Sequence, residues 1–115
     1  MALQAAMSQY PTGFAHWLSA AAFMLAKPQE IAIVGDPAAD GTQALLDQAL
    51  RPYRPFQVAA AMSPAGTTQI PLLQGRSPVE GQATAYVCRH FTCQLPVTTP
   101  AALAAQLGQT LPLPK

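Results

Sequence analysis

Glu30-Ile31-Ala32-Ile33-Val34-Gly35-Asp36-Pro37 is the stretch from which the fold is read. Its first five residues form a compact run rich in β-branched side chains, and the Gly-Asp-Pro that follows punctuates it. Such a continuous apolar run suits a strand buried on both faces, as in a parallel sheet. Asp40 precedes a helical pattern, with Gln43 three residues later in the capping-box arrangement. Leu45, Leu46, Ala49 and Leu50 supply that helix with a buried face, and Pro52 ends it. Phe56-Gln57-Val58-Ala59-Ala60 is a second strand candidate. Strand, helix and strand in succession make a βαβ unit, whose crossover is right-handed in nearly all cases.

Toward the N-terminus the period changes from strand to helix. Leu3, Ala6, Met7 and Tyr10 share a helical face until Pro11 interrupts it. From Thr12 a second stripe runs through Phe14, Trp17, Leu18, Ala21, Met24 and Leu25. Phe23 falls off that stripe, so this helix is apolar on more than one side. Pro28 ends it, because the residue before a proline is pushed out of the α region. Toward the C-terminus, residues 63–82 are rich in Pro and Gly and read mostly as loop. Ala83 to Cys88 is a third strand candidate. Thr99-Pro100 opens a last helix with a good cap and proline at its first position. Leu103 and Leu107 face the core there, and Gly108 is a natural stop.

The expected fold is therefore α/β. An N-terminal helical hairpin (1–28) leads into a small three-stranded, mainly parallel sheet with two helices (29–110), and a frayed tail follows (111–115). The Ile31–Val34 strand is expected at the centre.

The chain of 115 residues fits one domain and can bury roughly two-thirds of its unfolded surface. Half of the residues are apolar, which argues against disorder, and 10% are charged against about 25% in an average protein. Two readings of that scarcity stand side by side: a lineage bias toward Ala, Gln and Pro, or a surface normally covered by other protein. The net charge is +1 with no basic run, so no nucleic-acid partner is expected. The apolar stretch from Trp17 to Ala26 is half of what a bilayer crossing requires, so no membrane span is expected. With no positive n-region and only two cysteines, a cytoplasmic location is the expectation.

Three segments carry a resemblance: Tyr10-Pro11-Thr12-Gly13-Phe14, Ile31-Ala32-Ile33-Val34-Gly35, and Ala85-Tyr86-Val87-Cys88-Arg89-His90-Phe91-Thr92-Cys93-Gln94-Leu95-Pro96-Val97. The chain resembles the C-terminal end of the thioredoxin-domain-containing proteins related to spermatogenesis-associated protein 20. The likeness runs from about Tyr10 to Leu107. Its most specific part is Cys-x₄-Cys-x₂-Pro after a Tyr-Val strand end. Members of that family are several times longer. They combine a thioredoxin-like domain with an α/α toroid similar to N-acylglucosamine 2-epimerases and six-hairpin glycosidases. The resemblance implies that this chain ends a larger protein of poorly defined activity, as a non-catalytic accessory module. The hairpin would be the last part of the toroid. Partners would be the rest of the parent protein, or a second copy through the hairpin, and no cofactor is implied.

Few residues here offer chemistry. Cys88 and Cys93 are separated by four residues, unlike a redox Cys-x-x-Cys, but a turn could close a local disulfide. Cys88, His90 and Cys93 offer three metal ligands where structural zinc needs a fourth. His90 could act as base for a Cys88 thiolate, though a surface turn histidine is the simpler reading. His16 and Trp17 lie on the hairpin and could face a sugar-like ligand, making the chain part of an epimerase- or glycosidase-like enzyme; ordinary helix packing explains them more simply. Gly35 and Gly41 flank a strand-to-helix turn but lack a phosphate-loop spacing. Asp36, Asp40 and Asp47 read as turn, cap and helix surface. No self-sufficient active site is expected in this chain alone.

Overall fold

The computed structural model describes residues 2–90 and 92–108, so the tail expected at 111–115 lies outside the described residues. Helix α1 (Ala2–Gln9) runs into a 3₁₀ turn (Pro11–Phe14) and then α2 (Ala15–Leu25). Next come β1 (Gln29–Val34), α3 (Asp40–Leu50) and β2 (Gln57–Met62). A second 3₁₀ turn (Pro71–Leu73) precedes β3 (Thr84–Arg89), β4 (Thr92–Cys93) and α4 (Pro100–Gly108). The α/β class expected from the sequence is observed.

The sheet differs from the expected one in strand number and direction. It has four strands in the order β2-β1-β3-β4, with β1 flanked by β2 and β3 as anticipated. Only β1 and β2 are parallel; β3 runs antiparallel to β1, and β4 antiparallel to β3. The βαβ connection dictates the first pairing, since a helical crossover returns the chain to the same end. No such constraint acts on β3, which follows the long Pro/Gly-rich segment and can enter from either end. The fourth strand is two residues long, too short to show an alternating pattern.

The core lies on one face of this sheet. Ile31 and Ile33 of β1 and Ala85 and Val87 of β3 meet Leu45 and Ala49 of α3 and Leu103 and Leu107 of α4. Strand residues two apart share a face, so Ala32 and Val34 point the other way. They are nevertheless fully buried. Leu73, on the 3₁₀ turn that packs against β1 and β2, is buried too. Thus β1 is covered on both faces, as its composition implies, although part of the segment read as loop is what covers it.

The caps are partly as expected. Thr99 Oγ1 accepts a hydrogen bond from Ala102 N at 3.2 Å, closing the first turn of α4. The capping box at Asp40 does not form, because Ala39 is the N-cap of α3 and Asp40 already belongs to its first turn. Gln43 Nε2 instead donates to Pro37 O (2.7 Å), and Asp36 Oδ1 accepts from Ala38 N (2.9 Å). At the other end of α3, Arg54 Nη1 and Gln57 Nε2 donate to carbonyls of the last turns.

The N-terminal segment also departs from expectation. Pro11-Thr12-Gly13-Phe14 is not a reversing corner; it continues as helical turn, and Ala15 is already in the α region. The helices pack on that turn and not extensively on each other, so they form a helix–turn–helix arm and not a hairpin. No described side chain of α1 or α2 is buried. Phe23 meets Phe56 at the start of β2, with ring centroids 6.5 Å apart, and is half-buried there.

Candidate functional site

Arg89 pairs with Thr92, so two residues connect β3 and β4. In such a tight hairpin the first loop residue takes positive φ, and His90 has φ 51. One pair further from the turn stand Cys88 and Cys93, directly opposite each other. The next pair is hydrogen-bonded, Gln94 N to Val87 O at 2.9 Å, which makes Cys88 and Cys93 a non-hydrogen-bonded pair. Side chains approach most closely at such a pair. The two cysteines are joined there by a disulfide, with Cα atoms 3.9 Å apart. The sulfurs sit in unequal surroundings: Cys88 is buried and Cys93 is exposed.

A guanidinium covers the bond. Arg76 Nη2 lies 3.3 Å from Cys88 Sγ and 3.1 Å from Cys93 Sγ. Its Nε donates to Leu72 O at 3.2 Å, and its Cζ stands 4.9 Å from the centroid of the Tyr86 ring, a cation–π distance. The Tyr86 hydroxyl donates to Ser77 O, tying the segment that carries Arg76 to β3. Residues 86 and 88 lie on one face of their strand. Among the described residues the ion pair present joins Arg51 to Asp47, so no carboxylate neutralises Arg76.

The other sequence candidates do not join this group. His90 is exposed in the turn, and nothing bonds it to either cysteine. In the disulfide neither sulfur is a thiolate, and the described residues contain no cluster of three His, Cys, Asp or Glu side chains. His16 and Trp17 are exposed near the start of α2. An open hollow of about 300 Å³ lies between Met62 and the 64–76 segment, and Arg76 is among the residues that line it. Asp36 serves its turn, Asp40 the first turn of α3, and Asp47 its pair with Arg51. Sequence reasoning missed Arg76 and Tyr86. A cation twelve residues before Cys88 inside a Pro/Gly loop carries no spacing signal.

Because positive φ is easier for glycine, His90→Gly is expected to raise stability by up to about 1 kcal/mol in denaturant titration. It should leave the alkylation rate of the reduced cysteines unchanged. A slowed rate would instead give the imidazole a part as base.

Comparison with known proteins adds a relationship. No family model matches the chain, and no solved structure does. Among characterised proteins, spermatogenesis-associated protein 20 of Rattus norvegicus and of Mus musculus are each 35% identical to it over 85 residues. The human protein is 37% identical over 79 residues. The chain is related to spermatogenesis-associated protein 20. The alignment takes in 70% of this chain but only 11% of the rat and mouse forms of spermatogenesis-associated protein 20. For the human form the shares are 65% and 10%. The match is thus to a small part of a much longer protein. No helix among the described residues is long and apolar enough to cross a membrane.

Proposed function

We propose that this chain works as an accessory packing module of a larger, cytoplasmic protein, with α1 and α2 as the surface that meets the rest. The observation that carries this reading is the unsheltered apolar surface of α2: Trp17 is 57% exposed, Met24 78% and Leu25 82%. Burying one such side chain is worth roughly 1.5–3 kcal/mol, so the three together favour a covered state strongly. The small share of spermatogenesis-associated protein 20 that the chain matches supports the same reading. In the parent, α1 and α2 would end the helical toroid and residues from Gln29 onward would form the terminal α/β module. Without the parent, a second copy would take the same place.

The test is light scattering and dye binding on the purified chain and on a Trp17→Ser/Met24→Ser/Leu25→Ser variant. The wild type should self-associate or bind an apolar dye at micromolar concentration. The variant should lose both, and in dilute solution, where copies do not associate, it should unfold with a free energy within about 1 kcal/mol of the wild type, because surface substitutions have small effects. A wild type that stays monomeric and binds no dye would count against the module reading.

A second reading has its own observation. The cross-strand disulfide with a guanidinium on both sulfurs favours thiol chemistry at Cys88 and Cys93. In the cytosol such a bond would be transient, since that compartment keeps most thiols reduced.

A further inference from the structure

The geometry points to a thiol–disulfide exchange site in which a dithiol attacks Cys93 and Arg76 holds Cys88 as the departing thiolate; this rests on the second reading above. Two asymmetries argue for it. Cys93 is exposed and Cys88 is 2% exposed, so an incoming sulfur reaches Cys93 first. The charge placement is matched to the reduced state and not to the oxidised one. A disulfide sulfur is a weak, neutral acceptor. Arg76 nonetheless stands 3.3 Å and 3.1 Å from the two sulfurs, anchored by Leu72 O and the Tyr86 ring. A cation fixed there with no carboxylate partner among the described residues gains its full counter-charge only when a thiolate appears.

The step balances without any further reactant. The thiolate of the dithiol bonds to Cys93 Sγ, the Cys88–Cys93 bond breaks, and its electron pair stays on Cys88 Sγ beside Arg76. The second thiol of the same molecule then attacks its partner sulfur in the mixed disulfide and releases Cys93. The dithiol has become a disulfide, and two electrons and two protons have passed to the cysteine pair. Run backward, the reduced pair reduces a disulfide. Arg76 is a positioning residue here, acting through the acidity of the leaving thiol, and a more acidic thiol leaves faster.

The chemistry can be mapped on the full chain because Arg89 lies between the two cysteines, so trypsin places them on different peptides. Glutathione serves as the monothiol that traps the first step, and dithiothreitol as the dithiol. The trapped glutathione is expected on the Cys93 peptide. In the reduced protein, iodoacetamide should titrate a thiol with a midpoint below that of free cysteine, about 8.5. Arg76→Gln should move that midpoint up toward the free value and slow reduction by dithiothreitol about fivefold to tenfold. Arg76→Lys, which keeps the charge, should restore part of both, and circular dichroism checks that each variant is folded. If Arg76→Gln does not fold, the Arg76→Lys midpoint against wild type and the site of trapped glutathione decide. Glutathione on Cys88, or equal midpoints with and without the guanidinium, would overturn the roles proposed while leaving an exchange-active pair. Cysteines that stay reduced in a dithiol/disulfide buffer poised to oxidise them would overturn the exchange site altogether.

Discussion

Leu103→Ala should lower the free energy of unfolding by about 2–5 kcal/mol in denaturant titration. Leu103 has no exposed surface and sits where α4 closes over β3 and α3. Truncation removes apolar contacts and leaves a space in a cluster built from β1, β3, α3 and α4, whose separate elements limit how far the walls can collapse inward. A small domain has only about 5–15 kcal/mol in hand, so this change alone should shift the transition visibly. Met24→Ala is the matching control. Met24 is largely exposed on α2, and in dilute solution, where copies do not associate, its loss should cost no more than about 0.5 kcal/mol. A large effect at Met24 would mean that α2 is packed in solution as it is not here.

Gly35→Ala should cost about 1–3 kcal/mol in the same titration, through crowding and not through lost contacts. Gly35 follows the last residue of β1, and its φ is not among the positive ones, so conformational freedom is not the issue. Space is. A methyl group there would overlap Thr42 Oγ1, on α3, and stand 2.9 Å from Ala83 Cβ, just before β3. Both neighbours are held by the core, so either α3 or the entry to β3 must move. Thr42→Ala in the Gly35→Ala background should return part of the loss, a coupling that independent sites would not show. Gly13→Ala, where an added methyl meets nothing within 4 Å, should be close to neutral.

Gly35 also shows what the sequence makes legible. A glycine between strand and helix invites a phosphate-loop reading, and the absence of the remaining glycines argues against one. Its actual role, admitting α3 close to the sheet, depends on Thr42 and Ala83, which no local pattern singles out. The same division holds for the fold. Ile31-Ala32-Ile33-Val34 declares a strand covered on both sides, and Leu103 and Leu107 declare the buried face of α4, because burial leaves a periodic trace. Periodicity says nothing of direction, so the expectation of a mainly parallel sheet fails at β3, which runs antiparallel to β1. A two-residue strand such as Thr92–Cys93 has no period at all. Pro11 and Gly13 marked an interruption without revealing that the chain would continue as a helical turn. At the thiol site the cysteines are visible by type, whereas Arg76 and Tyr86 arrive through a long irregular segment and a strand face.

A relationship to a small part of spermatogenesis-associated protein 20 and an arm with no buried side chain among the described residues lead to one physical picture. The α/β portion has its own core, and the arm needs a neighbour. Trp17 is the one tryptophan in the chain, so its emission reports on that arm alone. In dilute solution its fluorescence should be water-like and open to an aqueous quencher, moving to the blue and becoming shielded as concentration rises or the rest of the parent protein is added. Blue, quencher-resistant emission from a chain that light scattering shows to be a monomer would contradict the account.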